Sequence, residues 1–211
     1  MDYLTLETLL SLELPVLIAA GIIVLILLTI STKNGQAEGP DRVVLCWFTR
    51  VKKPVLDRFF AGLTWFGSLW VLLPASAVIS LILLNNGQYF QSMIFQFGFL
   101  GAVTSTYALK YALARERPDV APPIDGHPPD PAFPSAHTTQ AFAFAFMMFL
   151  LAALEIEWIS CIVWPMIVVA TGVAISRLYL QVHYPSDVLA GIIVALLWPA
   201  SILYFFKIGV L

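Results

Sequence analysis

Polar residues in this chain are gathered into short blocks. Between the blocks, apolar residues run for lengths near 20, about what a helix needs to cross some 30 Å of hydrocarbon. Six such runs can be marked, roughly 15–31, 59–84, 90–114, 137–154, 161–180 and 188–206. In hydrocarbon every backbone N–H and C=O must be satisfied within the spanning element, and the alternation of barrel strands is absent, so the runs predict helices. The expected fold class is all-α: a polytopic membrane protein with six transmembrane helices in one bundle, forming a single domain over residues 1–211.

An even number of spans sorts the connections. The links after spans 1, 3 and 5 share one face, and the termini share the other with the links after spans 2 and 4. That second face is sparse, with Asn85-Asn86-Gly87-Gln88 in one link and Glu155, Glu157 and Trp158 in the other. The first face is elaborate. It holds a charged 32–58 link, a link from Pro118 to Pro134 with seven of the chain's 14 prolines, and a short Tyr179–Asp187 turn. A proline run cannot form helix, so Asp119 to Phe133 reads as a shaped loop over the membrane surface, either a spacer or a rim for a headgroup.

Composition agrees with the bilayer as solvent: 60% of residues are hydrophobic and 11% charged, with a mean hydropathy of +0.87. A net charge of −2 leaves no basic field to attract nucleic acid, which excludes a polynucleotide partner. Cys46 and Cys161 fall near segment ends on opposite faces and cannot bridge. Residues 1–14 carry Asp2, Glu7 and Glu13 without Lys or Arg, so the basic start of a cleavable signal is missing and the first apolar run is expected to be retained.

Polar residues at span ends are expensive, and on the elaborate face they form three blocks. The first runs from Lys110 to Arg117-Pro118. Lys110 and Arg117 fall on one helical stripe if the third helix continues to Pro118. The second is Phe133-Pro134-Ser135-Ala136-His137, where Ser135 suits an N-cap and the helix start behind it is an anion site. The third runs from Ser176-Arg177 through His183 to Asp187. Pro185 suits the first turn of the last helix, which puts Asp187 near the third helical position, able to reach back and orient His183.

Three cations and a helix N-terminus make a pocket for a phosphate dianion, and two histidines could flank it. A neutral imidazole can attack phosphorus if a carboxylate holds its other nitrogen, which assigns His183 as nucleophile with Asp187 as its partner. His137 is then the acid for the leaving oxygen and later the base for water. Taken one by one, these residues read as interfacial or snorkelling side chains; their joint occurrence on one face argues otherwise. A metal site is the other reading of a His/His/Asp set, but no fourth ligand accompanies it and the cations would repel a metal, so no cofactor or metal is expected. His127 reads as a solvated loop residue.

The three blocks resemble the signature of the type 2 phosphatidic acid phosphatase superfamily, K-x6-RP, PSGH and SR-x5-H-x3-D. Lys110, Arg117 and Pro118 match the first element, Pro134, Ser135 and His137 the second, and Ser176, Arg177, His183 and Asp187 the third. The resemblance implies a metal-independent lipid phosphatase with catalytic His183, His137 and Asp187 and a phosphate-binding set of Lys110, Arg117, Arg177, Ser135 and Ala136. Ala136 stands where the family usually has glycine, which either narrows the pocket or marks ordinary helical backbone. The superfamily's soluble vanadium haloperoxidases are disfavoured by the six spans.

Implied substrates are lipid phosphomonoesters or pyrophosphates: undecaprenyl pyrophosphate, phosphatidylglycerophosphate, phosphatidic acid or a lipid A phosphate. Phosphoryl transfer to a second lipid and non-catalytic anion binding are the alternatives. The resemblance also implies a bacterial inner membrane and a site facing the periplasm or exterior. Charge counting opposes that orientation, because Lys33, Arg42, Arg50, Lys52, Lys53 and Arg58 lie on the active-site face against Lys207 on the other. Arg50 to Arg58 could instead lie at the interface and attract anionic lipid.

Overall fold

The computed structural model describes residues 3–124, 128–153 and 157–208; His127 and Glu155 lie outside these. The described residues are helical in the order α1 (Tyr3–Lys33), α2 (Glu38–Arg50), α3 (Pro54–Leu63), a 3-10 turn (Thr64–Gly67), α4 (Leu69–Asn85), α5 (Tyr89–Leu113), α6 (Ala136–Ala153), α7 (Glu157–Tyr179) and α8 (Pro185–Ile208). Five of these helices contain a stretch long and apolar enough to cross a membrane: Glu13–Lys33, Tyr89–Leu113, Ala136–Ala153, Cys161–Tyr179 and Pro185–Phe206. The sixth expected span is present as a bent pair, Pro54–Gly67 with Leu69–Asn85, broken by 43°.

The expected continuous helix over 59–84 is therefore corrected. Ser68 leaves the helical region at φ −83° and ψ 149°, and its hydroxyl donates to the Trp65 carbonyl at 2.7 Å. The break brings Gly67 against two other helices. A Cβ there would lie 2.5 Å from Val173 Cγ1 and 2.9 Å from the His137 carbonyl oxygen, so a side chain at 67 would push the turn off the start of α6. The 32–58 link also gains structure, because Glu38–Arg50 folds as α2 and α3 begins at Pro54, a residue suited to a first helical turn.

α6 forms the centre. Its sequence is apolar on every side, and a helix of that kind must be covered all round. Phe142, Phe144, Met147, Met148, Leu150 and Leu151 are all buried, with Phe95 and Phe99 of α5 meeting Phe144 edge-on at 5.6 and 5.8 Å. Large apolar side chains of α1 such as Val16, Leu17, Ile23 and Leu27 are exposed, as a lipid-facing helix requires.

Between apolar helices burial adds little in lipid, so close packing and interhelical hydrogen bonds hold the elements in register. Gln96 of α5 donates to the Ser76 carbonyl at 2.9 Å and to Ser80 Oγ at 2.8 Å on α4. Trp198 of α8 donates to Ser105 Oγ at 3.2 Å on α5. At the other end, Tyr179 closes α7 by donating to Asp57 Oδ1 at 2.6 Å and accepting from the Lys53 N–H at 3.0 Å. That contact docks the α2–α3 corner beside the turn that carries His183.

Candidate active site

Three connections meet at one end of the bundle, those after the first, third and fifth spans, as the alternation of faces requires. An apolar cluster of Tyr179, Leu180 and Val182 with Phe48, Leu56 and Phe60 joins them, and polar contacts tie them further: Asp41 with Ser186, Lys52 with the Pro122 carbonyl at 3.3 Å, and Arg117 with the Val182 carbonyl at 2.7 Å.

The first block does not run as one helix to Pro118. Ala114 takes a left-handed conformation at φ 48°, and its N–H bonds the Lys110 carbonyl at 2.8 Å, the single bond that closes a helix in this way. Arg117, immediately before proline, is disfavoured from helix. Lys110 and Arg117 therefore do not share a helical stripe, yet they share an anion. Asp130 of the proline loop places Oδ2 2.8 Å from Lys110 Nζ and Oδ1 2.8 Å from Arg117 Nη2. Lys110 also donates to the Pro131 carbonyl, and Arg117 Nε to the Asp130 carbonyl at 3.0 Å. The loop is pinned back by the Ala132 N–H on the Arg115 carbonyl at 2.8 Å. Of the two readings left open for this loop, the contacts favour a rim over the cations.

The second block lies as expected. Ser135 immediately precedes α6; its hydroxyl accepts from Thr138 Oγ1 at 2.9 Å, and its carbonyl accepts the Thr139 N–H at 2.9 Å. Gly191 of α8 admits this helix start, since a Cβ there would lie 2.9 Å from the Ser135 carbonyl oxygen. Among described non-glycine residues only Ala114 and Gln181 have positive φ, so Ala136 has ordinary helical backbone and needs no glycine. His137 is half-buried in the first turn of α6, within the electrostatic reach of Arg177, Asp130, Lys110 and Arg117.

In the third block, Ser176 donates to the Val173 carbonyl at 2.6 Å, and Arg177 Nη1 donates to Thr64 Oγ1 at 2.7 Å in the broken second span. Gln181 reverses the chain at φ 63°, with its own N–H on the Leu178 carbonyl at 3.1 Å and the Val182 N–H on the Arg177 carbonyl at 3.2 Å. That pair of bonds is a Schellman motif with glutamine in place of glycine. The Gln181 amide donates to the Leu45 carbonyl of α2 at 3.2 Å.

His183 follows directly and is 1% exposed. α8 then starts at Pro185, and Asp187 Oδ2 accepts the Tyr184 N–H at 2.8 Å, the backward reach of a third-position acid in a capping box. Asp187 Oδ2 lies 3.5 Å from His183 Nδ1, longer than a closed hydrogen bond. On the other side of the ring, Nε2 lies 3.3 Å from Arg117 Nη1. A guanidinium only donates, so Nε2 is the acceptor and the ring proton belongs on Nδ1, facing the carboxylate.

Electrostatics support a neutral ring. Burial first, then the charges of Arg177, Arg117, Lys110 and His137, hold the His183 imidazole well below its ordinary value of 6.5. For Asp130, burial works upward, but the hydrogen bonds and charges of Lys110 and Arg117 outweigh it and keep its carboxyl below the usual 3.8. Among the described residues no group of three or more His, Cys, Asp or Glu converges as a metal site would.

Sequence reasoning missed several participants. Arg115 lies inside the first block and was visible as a cation there, but nothing marked its partner. Asp130 lies in the proline loop with no local spacing that marks it. Asp41, Thr64 and Gly67 reach the site only through the folding of α2 and the break in the second span.

Known proteins are similar to this chain in sequence and in fold. A lipid A 4'-phosphatase of Bacteroides thetaiotaomicron is 28% identical over 171 residues, 73% of this chain and 71% of that protein. The phosphatidylglycerophosphatase B of Bacillus subtilis is 25% identical over 181 residues, 82% of this chain and 86% of that one. A lipid A 1-phosphatase of Rhizobium etli is 33% identical over 93 residues, 40% of this chain, and the match covers only 37% of that protein's length. In fold, the crystal structure of a transmembrane PAP2-type phosphatidylglycerolphosphate phosphatase from Bacillus subtilis superposes with a TM-score of 0.76 at 23% identity, covering 92% of this chain and 94% of that one. The family model described as the PAP2 superfamily matches residues 91–208, a stretch that contains every residue of the three blocks. Since that stretch is more than half of the chain, this integral membrane protein belongs to the PAP2 superfamily.

Proposed function

We propose that the protein hydrolyses a lipid phosphomonoester or pyrophosphate, with His183 as the nucleophile. The observation that carries this reading is the placement of His183: Nδ1 faces a carboxylate, Nε2 is the lone-pair nitrogen, and Nε2 lies beside Arg117. An incoming phosphate replaces the Asp130 carboxylate on Lys110 and Arg117, while Arg177 and the start of α6 complete the anion pocket.

His183 Nε2 then attacks phosphorus and the bond to the leaving oxygen breaks, with His137, which takes up a proton as the phosphate dianion offsets the surrounding cations, supplying it to that oxygen. Asp187 accepts the Nδ1 proton's hydrogen bond and offsets the positive charge of the phosphorylated ring. Neutral His137 next takes a proton from water, the water oxygen attacks phosphorus, the P–N bond breaks, and inorganic phosphate leaves with His183 neutral again. No step calls for a metal ion.

The matched relatives act on lipid A phosphates and phosphatidylglycerophosphate, which makes those headgroups the first substrates to test, with phosphatidic acid and undecaprenyl pyrophosphate beside them. We place the site on the exterior face of a bacterial inner membrane. The basic residues of α2, α3 and the turn between them then act as interfacial anchors: exposed Trp47, Val55 and Phe59 accompany Arg50, Lys52, Lys53 and Arg58, an apolar and cationic mixture suited to an anionic lipid surface.

Purified protein should release inorganic phosphate from at least one of these lipids with chelator present, and His183→Ala should lower the rate by at least about 10³-fold. Labelled phosphate appearing on a second lipid would favour transfer over hydrolysis, and undiminished turnover by His183→Ala would rule out the nucleophile assignment. The pH profile gives a second check. A ring held below 6.5 is neutral, and so nucleophilic, at every pH above its lowered value, and its function is lost only as pH falls through that value. After correction for the substrate's own ionisation near about 6, the acid limb of kcat/KM should therefore lie below pH 6.5; a limb above it would mean the cations do not act on the ring.

Asp130→Asn removes the resident anion, and orthovanadate, a tetrahedral oxyanion, should inhibit roughly tenfold more tightly, about 1.4 kcal/mol. Weaker inhibition would instead make Asp130 a clamp for Lys110 and Arg117. For sidedness, Asp119→Cys in a chain with Cys46 and Cys161 replaced by serine should react with an impermeant maleimide on intact cells. Protection until lysis would reverse the orientation.

A further inference from the structure

We propose that Arg115 and Asp41 are positioning residues for the His183–Asp187 pair, acting through Asp187; the inference rests on reading His183 as the nucleophile. Arg115 Nη1 donates to Asp187 Oδ1 at 2.5 Å and to Ser186 Oγ at 2.7 Å, and its Nη2 donates to Asp41 Oδ2 at 3.0 Å. Its guanidinium carbon lies 4.2 Å from the centre of the Tyr184 ring. Asp41 in turn accepts the Ser186 N–H on Oδ1 at 3.0 Å and the Ser186 hydroxyl on Oδ2 at 2.6 Å.

These bonds divide the two oxygens of Asp187. Oδ1 is held by Arg115, and Oδ2 takes the Tyr184 N–H and is the oxygen that faces His183. A carboxylate held at both ends cannot rotate away from the imidazole. Asp41 acts one step further out: it fixes the second arm of the Arg115 fork and satisfies a free N–H at the start of α8, so helix, arginine and carboxylate share one frame. Asp187 and Asp41 are 0% and 4% exposed, so each needs the guanidinium between them.

Arg115 differs in kind from the phosphate cations. Lys110 and Arg117 hold the Asp130 carboxylate, whereas both terminal nitrogens of Arg115 are engaged by Asp41, Ser186 and Asp187. Its loss should therefore slow turnover without weakening anion binding, a separation that simple unfolding or loss of a phosphate ligand would not produce.

The test compares Arg115→Ala, Arg115→Lys, Asp41→Asn and His183→Ala in purified detergent-solubilised protein, with kcat, KM and orthovanadate affinity measured on each. For Arg115→Ala the expected result is a kcat about 100-fold lower, the scale of a roughly 1 Å misplacement, with KM and vanadate affinity within about threefold of wild type. Added guanidinium should restore part of that kcat, and Asp41→Asn should show a smaller fall of the same type. Wild-type kcat in Arg115→Ala, or vanadate affinity falling in step with kcat, overturns the inference. Should Arg115→Ala not accumulate as folded protein, Arg115→Lys carries the test, because it keeps the charge and loses the fork: lower kcat at unchanged vanadate affinity supports the inference, and wild-type kcat overturns it. An active His183→Ala would remove the nucleophile reading itself, whereas an inactive His183→Ala beside a fully active Arg115→Ala would remove only the positioning role.

Discussion

An ionised group drawn out of water between helices costs several kcal/mol unless a charge or hydrogen-bond donor of the right sign meets it. One end of this bundle holds Lys110, Arg115, Arg117, Arg177, Asp41, Asp130 and Asp187 with little or partial access to solvent. The connecting segments are arranged around that constraint. The proline loop returns to present Asp130 to two cations, α2 turns in to present Asp41 to a third, and the second span breaks so that Thr64 reaches the fourth. Packing of the apolar helices and of the cluster around Tyr179, Leu180 and Val182 brings these segments near one another, and the charge pairs meet where they converge.

The pairs fall into two clusters with His183 between them. One contains Lys110, Arg117 and Asp130; the other contains Asp41, Arg115 and Asp187. The imidazole bridges them, with Nε2 toward the first and Nδ1 toward the second. This gives the ring a fixed polarity. The side with the carboxylate takes the ring proton, and the nitrogen with a lone pair faces the side with spare positive charge.

Residues whose meaning depends on local spacing could be read from the chain. Pro185 and Asp187 fell at the start of a helix because capping chemistry acts over three or four positions, and the six apolar runs were visible because hydrocarbon thickness sets helix length, five of them as unbroken helices. The rest depends on contacts between distant segments. Asp41 meets Ser186 across 145 positions, and no local pattern identifies such a partner. The break at Ser68 was hidden because its flanks are as apolar as any continuous span, and the close approach of Gly67 to α6 that accompanies it is a contact between distant segments. The third run was marked to 114, but whether its helix continued to Pro118 stayed open, because alanine at 114 takes the backbone shape usually reserved for glycine and the customary stop signal is absent.

The position of α2 has a consequence for how this site could be moved or cut. Residues 91–208 carry all the recognisable chemistry, yet the groups that brace it, Asp41 on α2 and Thr64 and Gly67 in the broken span, come earlier in the chain. A graft of the signature region onto another set of leading helices would retain every hallmark residue while removing Asp41 from the Arg115 fork and Thr64 from Arg177. The structural unit of this site is thus larger than its signature, because the start of the helix that follows His183 is held from α2.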